Sequence, residues 1–338
     1  MAENSQDSRS IDVFGVGNAL VDILAFVEDD FITRHALDRG VMTLMTAEKQ
    51  GRILHDLEHL SLQMRSGGSA ANAMIALAQS GGKAFYSGKV SQDTNGEFYR
   101  QDLLTAGIEF NVHPAPVSNG PTGTCLVLTT PDAERTMCTN LGVSIALAPT
   151  DLDVERLSWC KYSYVEGYLW DSPDPRKASI EAMEQSKRLG VKVAFTFSDP
   201  FLVDRFTDDF HKLVSEYCDV VFCNADEVRR FFESDSLEEC ARKMGELTDL
   251  ALITNGPKGC LVVENQQVSE VAGFPVQAID TVGAGDAFAG GTLFGLTNGL
   301  SATQAARWGN YLASLVVQVH GPRLEESLAH RVPEVVGS

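Results

Sequence analysis

Ile279-Asp280-Thr281-Val282-Gly283-Ala284-Gly285-Asp286-Ala287-Phe288-Ala289-Gly290-Gly291 runs from a small-residue turn through a carboxylate into an apolar helical stretch. The consecutive amides of Gly283, Ala284 and Gly285 can converge on an anion at such a turn. The positive end of the following helix dipole strengthens that attraction. Asp286 then stands beside the held anion, where it can point at an approaching hydroxyl. A bare Gly-x-Gly-Asp is explained by geometry alone, with glycines for the tight turn and an acid for the helix N-terminus. The whole run is far more specific than that, and it reads as a phosphoryl-transfer site.

Outward from this turn, short apolar runs alternate with helical patterns. Strands are predicted at Ile11–Val16, Ala84–Val90, Tyr162–Glu166, Val191–Phe197, Asp219–Cys223 and Leu250–Thr254. Helices are predicted at Ser69–Ser80, Gly96–Ala106, Pro175–Leu189, Phe210–Tyr217, Ala225–Phe232, Leu237–Leu247, Ala284–Leu296 and Ala302–Val319. Glycines close several of them, at Gly81-Gly82, Gly107 and Gly190. This alternation predicts an α/β fold with a mainly parallel sheet and helices on both faces. Residues 23–66 and 111–142 break the rhythm with strand-like runs, such as Thr122-Gly123-Thr124-Cys125-Leu126-Val127-Leu128. We read them as a small β lid assembled from two insertions. Residues 1–22, 67–110 and 143–338 then form the large domain, with residues 1–10 as a mobile polar tail.

Composition narrows the classes. The chain has 338 residues, 44% of them hydrophobic and 22% charged, as expected of a globular protein. Its 27 Lys and Arg against 46 Asp and Glu give a net charge of −19. That balance argues against a nucleic-acid partner or an anionic membrane surface. A phosphate-bearing ligand is still compatible, because local amides and a few basic residues set the local field. Seven cysteines are scattered without a Cys-x-x-Cys pair, which reads as reduced thiols in a cytoplasmic protein. No run is long and apolar enough to span a bilayer.

Four further motifs lie at predicted strand or helix ends. Gly67-Gly68-Ser69-Ala70-Ala71-Asn72 permits close backbone approach to a ligand, and Asn72 offers a donor and an acceptor to a hydroxylated one. It also reads as a Gly-rich loop capped by Ser69. Asn18-Ala19-Leu20-Val21-Asp22 follows the first strand, where ligands collect in open α/β sheets. Asp22 suits a vicinal diol, or serves only as a cap. Asn224-Ala225-Asp226-Glu227 suits an outer-sphere magnesium or phosphate network, and equally a capping box in which Glu227 reaches back. Thr254-Asn255-Gly256-Pro257-Lys258-Gly259 either lines a nucleotide site or is a hairpin turn.

Three other patterns fail. Gly15-Val16-Gly17 lacks the third glycine of a dinucleotide fingerprint, since Leu20 stands there. The sequence has no Gly-x4-Gly-Lys-Ser/Thr. His55-Asp56-Leu57-Glu58-His59 fits a zinc-peptidase spacing, but it sits in a charged segment without a downstream ligand and reads as an exposed helix face.

In this order the motifs resemble the ribokinase (PfkB) family of carbohydrate kinases from about Ile11 to Leu324. The most specific stretches are Gly67–Asn72 and Asp280–Asp286. Within the family, Gly17–Asp22, Pro121-Thr122-Gly123-Thr124-Cys125, and Arg135 followed by Thr139-Asn140-Leu141 are similar to the adenosine kinase branch. The resemblance implies a ribokinase-like fold, ATP as phosphoryl donor, and magnesium. It implies Asp286 as catalytic base, the Gly283, Ala284 and Gly285 amides as anion hole, and Arg135 approaching the transferring phosphoryl. Asn18, Leu20, Asp22, Gly67, Gly68, Asn72, Cys125 and Met137 fall on the acceptor side, with Leu141 and Tyr168 near the place of a base. Asn224, Glu227, Thr254, Gly256 and Gly259 fall on the nucleotide side, Glu227 reaching magnesium indirectly. The backbone carbonyls of Asp280 and Val282 become candidates for potassium. The expected reaction is transfer of the ATP γ-phosphoryl to a nucleoside 5′-hydroxyl, most often adenosine. A kinase for ribose, fructose or a related sugar, a kinase for another nucleoside, and a silent member that senses a nucleoside or a partner are the alternatives. The chain is expected to act as a monomer or as a homodimer paired through the lid.

Overall fold

The computed structural model describes residues 9–132 and 134–337; most of the expected N-terminal tail, Met1–Ser8, lies outside them. Its strands, in chain order, are β1 Ile11–Val16, β2 Leu20–Phe26, β3 Met42–Leu44, β4 Gln63–Gly67, β5 Ala84–Ser87, β6 Ile108–Phe110, β7 Gly123–Thr129, β8 Arg135–Asn140, β9 Cys160–Glu166, β10 Lys192–Thr196, β11 Val220–Asn224, β12 Leu250–Thr254, β13 Gly259–Glu264 and β14 Gln267–Ala272. They form a nine-stranded sheet, ordered β14-β13-β12-β11-β10-β9-β1-β5-β6, and a five-stranded sheet, ordered β3-β8-β7-β2-β4.

In the large sheet every pairing from β12 to β6 is parallel, and only β12–β13 and β13–β14 are antiparallel. Parallel strands need both faces covered, and their sequences show it. Val13, Ala194 and Leu252 point into one apolar core with the helices Ser69–Gln79 and Ala284–Thr297. Phe14, Phe195 and Ile253 point into the other, with the helices Pro173–Leu189, Pro200–Glu216, Ala225–Phe232 and Leu237–Gly245. The chain winds one way through β1, β5 and β6 and the other way through β9 to β12. Its switch point lies between β1 and β9, so a crevice opens at their carboxyl ends.

The small sheet is mixed: β2–β7 and β3–β8 are parallel, β2–β4 and β7–β8 antiparallel. It begins at Leu20, so Leu20–Asp22 already belong to it. Residues 111–122 do not, since Ala115 bridges to Ser91 and Thr122 is bonded to Asp93. The first insertion also holds two helices, Asp29–Arg34 and Ala47–His55, where strands were expected apart from the helix face at His55–His59. Asp29, Asp30 and Glu48 in their first turns, and the Thr46 cap, are the local reasons for them.

Two more expectations need correcting. The helix predicted at Phe210–Tyr217 starts at Pro200, because Asp199 caps it by accepting from the Phe201 amide at 3.0 Å and proline fits its first turn. The hairpin β13–β14 was not expected. Its turn places Asn265 and Gln266 at positive φ (49° and 65°), a geometry usually announced by glycine.

Helix Ser69–Gln79 lies directly against helix Ala284–Thr297. The contact is alanine on glycine: a Cβ at Gly290 would fall 2.1 Å from the Ala73 carbonyl oxygen. Small residues let the two axes approach closely, and the first turns of both helices meet at the crevice.

Candidate active site

A cleft of about 530 Å³ runs between the carboxyl ends of the large sheet and one face of the small sheet. The structure brings most of the sequence-predicted residues to its walls. Asn18, Leu20, Asp22, Gly68, Asn72, Cys125, Arg135, Met137, Asn224, Glu227, Thr254, Val282, Gly283, Gly285 and Asp286 all line it. Gly67, Gly256, Gly259, Asp280 and Ala284 do not.

Asp286 is held by the neighbouring helix start. Ser69 Oγ donates to its Oδ1 at 2.7 Å, and Asn72 Nδ2 donates to its Oδ2 at 3.0 Å. Burial pushes the carboxyl up to about 6, and the two hydrogen bonds pull against that rise. A carboxylate so placed stays largely ionised at neutral pH and is a stronger base than a solvated one.

Three amides at the turn carry no hydrogen bond among the described residues: those of Gly283, Gly285 and Asp286. The Ala284 amide instead donates to the Thr281 carbonyl at 3.3 Å, so it closes the turn and is not part of an open anion seat. This replaces the expected Gly283–Gly285 trio. Gly283 sits at φ 78°, and a Cβ there would lie 2.2 Å from the Pro322 oxygen. At Gly285 a Cβ would meet nothing within 4 Å, so open space lies in front of that residue.

On the acceptor side, Asp22 is buried, and its carboxylate has no hydrogen-bond or ion-pair partner among the described residues. Burial lifts it to about 7, with Arg323 opposing and Asp286 adding to the rise. Gly67 lies behind it: a Cβ there would fall 2.3 Å from Asp22 Oδ2, so glycine makes room for the carboxylate. The Asn72 Oδ1 atom is buried and has no partner among the described residues. An orphan acceptor and a free carboxylate lining one cleft are suited to hydroxyl donors.

Glu166 was missed. It ends β9 at the switch point, fully buried, and its Oε1 accepts from the Asn18 amide (2.7 Å) and Asn18 Nδ2 (3.0 Å). Its Oε2 accepts from the Ala70 amide at 2.7 Å. One carboxylate thus ties the end of β1 to the start of the Asn72 helix. Burial raises it to about 7 against those donors. The readable signal was an acid closing an apolar strand, Tyr164-Val165-Glu166.

On the other side, Asn224 and Glu227 form a reciprocal capping box. Asn224 Oδ1 accepts from the Asp226 and Glu227 amides, and Glu227 accepts from the Asn224 amide and Nδ2, both at 2.8 Å. Glu227 is raised to about 7 by burial, with Asp199 and Asp226 adding to it. Gly256 and Gly259 belong to the turn between β12 and β13, so the hairpin reading holds for them.

Arg135, at the start of β8, does not hang free over the turn. Its Nη2 is paired with Asp280 Oδ2, and both side chains are buried, 8% and 4% exposed. Asp280 also accepts from the Val282 amide at 3.0 Å and the Gly321 amide at 2.9 Å.

The small sheet faces the cleft with alternate residues, as the strand period requires. They are Leu20, Asp22 and Leu24 from β2, Met42 and Leu44 from β3, Cys125 and Val127 from β7, and Arg135, Met137 and Thr139 from β8. Most of this wall is apolar. All seven cysteines are buried and free, Cys125 accepting from Thr139 Oγ1 at 3.3 Å. His55 and Glu58 form an exposed surface pair away from the cleft. Among the described residues no helix is long and apolar enough to cross a membrane, and no cluster of three His, Cys, Asp or Glu side chains could hold a metal.

Open amides at a helix start, a half-buried carboxylate beside them and unpartnered polar groups in the same cleft fit a phosphotransferase with an alcohol acceptor, the class that the relatives show. The chain belongs to the PfkB family of carbohydrate kinases, whose model matches residues 53–328. Adenosine kinase 2 of Arabidopsis thaliana is 29% identical over 336 residues, 91% of this chain and 94% of its own. The crystal structure of adenosine kinase from Sinorhizobium meliloti is 34% identical with a TM-score of 0.87, covering 96% of this chain and 99% of that one. A probable sugar kinase from Rhizobium etli is 32% identical with a TM-score of 0.88, covering 97% and 98%. These likenesses fix the ribokinase-like fold.

Proposed function

We propose that the chain transfers the γ-phosphoryl group of ATP to the 5′-hydroxyl of a nucleoside, with adenosine as the preferred acceptor. The observation that carries this reading is the apolar face of the small sheet. Leu20, Cys125, Val127 and Met137 line the same cleft as the unpartnered Asp22 carboxylate and Asn72 Oδ1. A ribose needs the polar groups; a planar base needs the apolar ones. A free sugar, hydroxylated all round, would gain little from that wall. Adenosine kinases among the relatives support the same acceptor.

In this reading the open amides of Gly283, Gly285 and Asp286 hold the transferring phosphoryl, and the helix dipole adds to them. Phosphoryl transfer asks mainly for positioning and charge stabilisation. Asp286, fixed by Ser69 and Asn72, orients the acceptor hydroxyl and takes its proton as the new bond forms. Asp22 and Asn72 hold the ribose hydroxyls. Asn224, Glu227 and Thr254, which line the same cleft, take the donor phosphates in this reading. Magnesium, arriving with ATP, supplies charge neutralisation on the phosphate oxygens. Glu227 fits it only through water, because both its oxygens already accept from Asn224.

A sugar acceptor is the second reading, favoured by the likeness to a probable sugar kinase. ADP release measured across adenosine, guanosine, cytidine, ribose and fructose separates the two. The proposal expects the highest kcat/KM with adenosine. Equal or higher kcat/KM with ribose or fructose refutes it.

A further inference from the structure

We propose that Arg323 is a positioning residue for the acceptor: from a loop of the large domain it clamps the segment where the small sheet ends, and its guanidinium keeps the neighbouring Asp22 carboxylate in the form that takes hydroxyls. The inference rests on the kinase reading of the cleft.

Ser66 stands where β4 leaves the small sheet, just before Gly67, Gly68 and the helix that begins at Ser69. Two large-domain side chains hold all three of its polar groups. Asp102 Oδ2, from the helix Thr94–Thr105, accepts from the Ser66 amide at 2.8 Å and from its hydroxyl at 2.6 Å. Arg323 Nη1 donates to Ser66 Oγ at 2.9 Å and to the Ser66 carbonyl at 3.3 Å. Arg323 Nη2 donates to Asp102 Oδ2 at 2.6 Å, which closes a ring of three side chains. Tyr99 Oη donates to the next carbonyl, that of Gly67, at 3.1 Å. Arg323 itself lies beyond the helix Ala302–Val316, with its side chain 11% exposed. Burial pushes the Asp102 carboxyl up, but Ser66 and Arg323 hold it below the usual carboxylate range, so the ring is charged at neutral pH.

The ring fixes the ground under the acceptor groups. Gly67 pairs with Leu20 across β2 and β4, and a Cβ on it would fall 2.3 Å from Asp22 Oδ2. Gly68 packs on the Asn18 carbonyl, where a Cβ would fall 2.1 Å from the oxygen. A shift of Ser66 therefore moves the backbone beneath Asp22 and beside Asn18 together. Charge acts on the same group. Burial lifts Asp22, and Arg323 is the strongest charge opposing that rise; Asp286 adds to it, while Arg135 and Arg65 oppose it. Cys125 of β7 and Tyr99 of the Asp102 helix also face Asp22. Arg135 is already paired with Asp280, and Arg65 with Glu325 at 2.8 Å. Arg323 thus acts on Asp22 through space, from a seat that Ser66 and Asp102 fix.

The test compares wild type, Arg323→Met, Arg323→Lys, Asp22→Asn and Asp22→Asn/Arg323→Met in two assays. The first is initial-rate ADP release against adenosine concentration between pH 5.5 and 9. Arg323→Met should raise the adenosine KM about tenfold and lower kcat by no more than about threefold. The acid limb of its kcat/KM profile should move up by about one pH unit, because Asp22 loses its strongest opposing charge. Asp286 does not confuse that reading, since its rise comes from burial, opposed by Ser69 and Asn72. Arg323→Lys keeps the charge and loses the fork, so its limb should stay in place while its KM rises part-way. The second assay needs no acceptor, so it judges the inference even if the acceptor panel overturns the proposed reaction. It compares ligand-free melts at pH 5.5 and 8.5. A raised carboxyl favours folding at low pH, and that contribution is lost as pH rises through its folded value. Removing Arg323 raises that value, so the gap between wild type and Arg323→Met should widen by about 2 °C at pH 8.5. Between Asp22→Asn and the double variant it should not widen. An Arg323→Met enzyme with the wild-type KM and acid limb overturns the proposal. So does a loss shared equally by kcat and kcat/KM at every pH, or a gap that widens as much without Asp22. If Arg323→Met does not fold, Arg323→Gln takes its place, with a donor but no charge, and an unmoved acid limb overturns the proposal.

Discussion

Asp286→Asn should separate stability from activity. In the wild type, burial lifts the Asp286 carboxyl from 3.8 to about 6. A shift of about two units corresponds to about 3 kcal/mol of folding free energy, to order of magnitude, at pH values above both. An asparagine carries no charge and escapes that cost. Its hydrogen bonds are nearly conserved. The amide oxygen still accepts from Asn72 Nδ2, and the amide NH₂ donates to Ser69 Oγ once that hydroxyl reverses. We expect a variant that folds with an unchanged midpoint or one a few degrees higher at pH 8. The sign is fixed by the direction of the shift. A carboxyl raised in the folded state favours folding at low pH, and that contribution is lost as pH rises through 6. The advantage of the variant should therefore shrink as pH falls below 6 and vanish near 3.8. Turnover should fall by about 10²–10⁴, about 3–5 kcal/mol in the barrier. Initial-rate ADP release and thermal melts between pH 4 and 8 provide both readouts. Wild-type turnover in the variant refutes the role of Asp286. A midpoint lowered by many degrees at pH 8 refutes the assignment of a raised carboxyl.

Other changes test the rest of the cleft. Gly283→Ala should be strongly destabilised, since φ is 78° and Pro322 blocks the new methyl, whereas Gly285→Ala should melt like wild type but show a higher KM for ATP, its methyl occupying the anion seat. Initial rates and melts of the two variants, side by side, distinguish local strain from lost phosphate space. Glu166→Gln should raise the acceptor KM about tenfold with a smaller change in kcat, because an amide replaces one of two acceptors that hold Asn18 and Ala70. An unchanged KM would show that Glu166 does not position the acceptor wall. The ligand-free protein should melt at lower temperature at pH 8 than at pH 5.5. Asp22, Glu166 and Glu227 titrate near 7 when folded, so their contribution to stability is present at low pH and lost as pH rises through 7. A flat profile over that range would contradict the three raised carboxyls together.

Much of the large sheet was legible because periodicity and punctuation agree. Ala225–Phe232 and Leu250–Thr254 are read to the residue, each bounded by polar or glycine signals. Pro200 was lost to the periodic signal, which begins only at Phe210; the Asp199-Pro200 cap was the better marker. The β13–β14 hairpin was hidden because Asn-Gln replaces the Asn-Gly that usually supplies two positive-φ positions. Within the cleft, residues belonging to local motifs were visible, among them Asp22, Asn72, Asn224 and Asp286. Glu166 belongs to no motif, and its importance comes from three bonds to residues far away in sequence. The pairing of Arg135 with Asp280 is of the same kind. A charge pattern along the chain does not show which buried carboxylate a distant guanidinium will meet.

The turn and the acceptor groups sit on different elements, and their meeting depends on one packing decision. Ala73 and Gly290 let two helices lie in backbone contact. Their first turns then face each other, so Ser69 and Asn72 can hold Asp286 while Asn72 keeps a free acceptor toward the cleft. The small residues of Gly67–Asn72 and Ala284–Gly291 therefore serve two purposes. Near each helix start they leave the backbone open to the cleft, and one turn further on they set the interhelix distance. A larger residue at Gly290 would push the helices apart and break the Asp286 hydrogen bonds without touching a ligand. The geometry around Asp286 is thus set by core packing, with the polar residues placed where that packing brings them together.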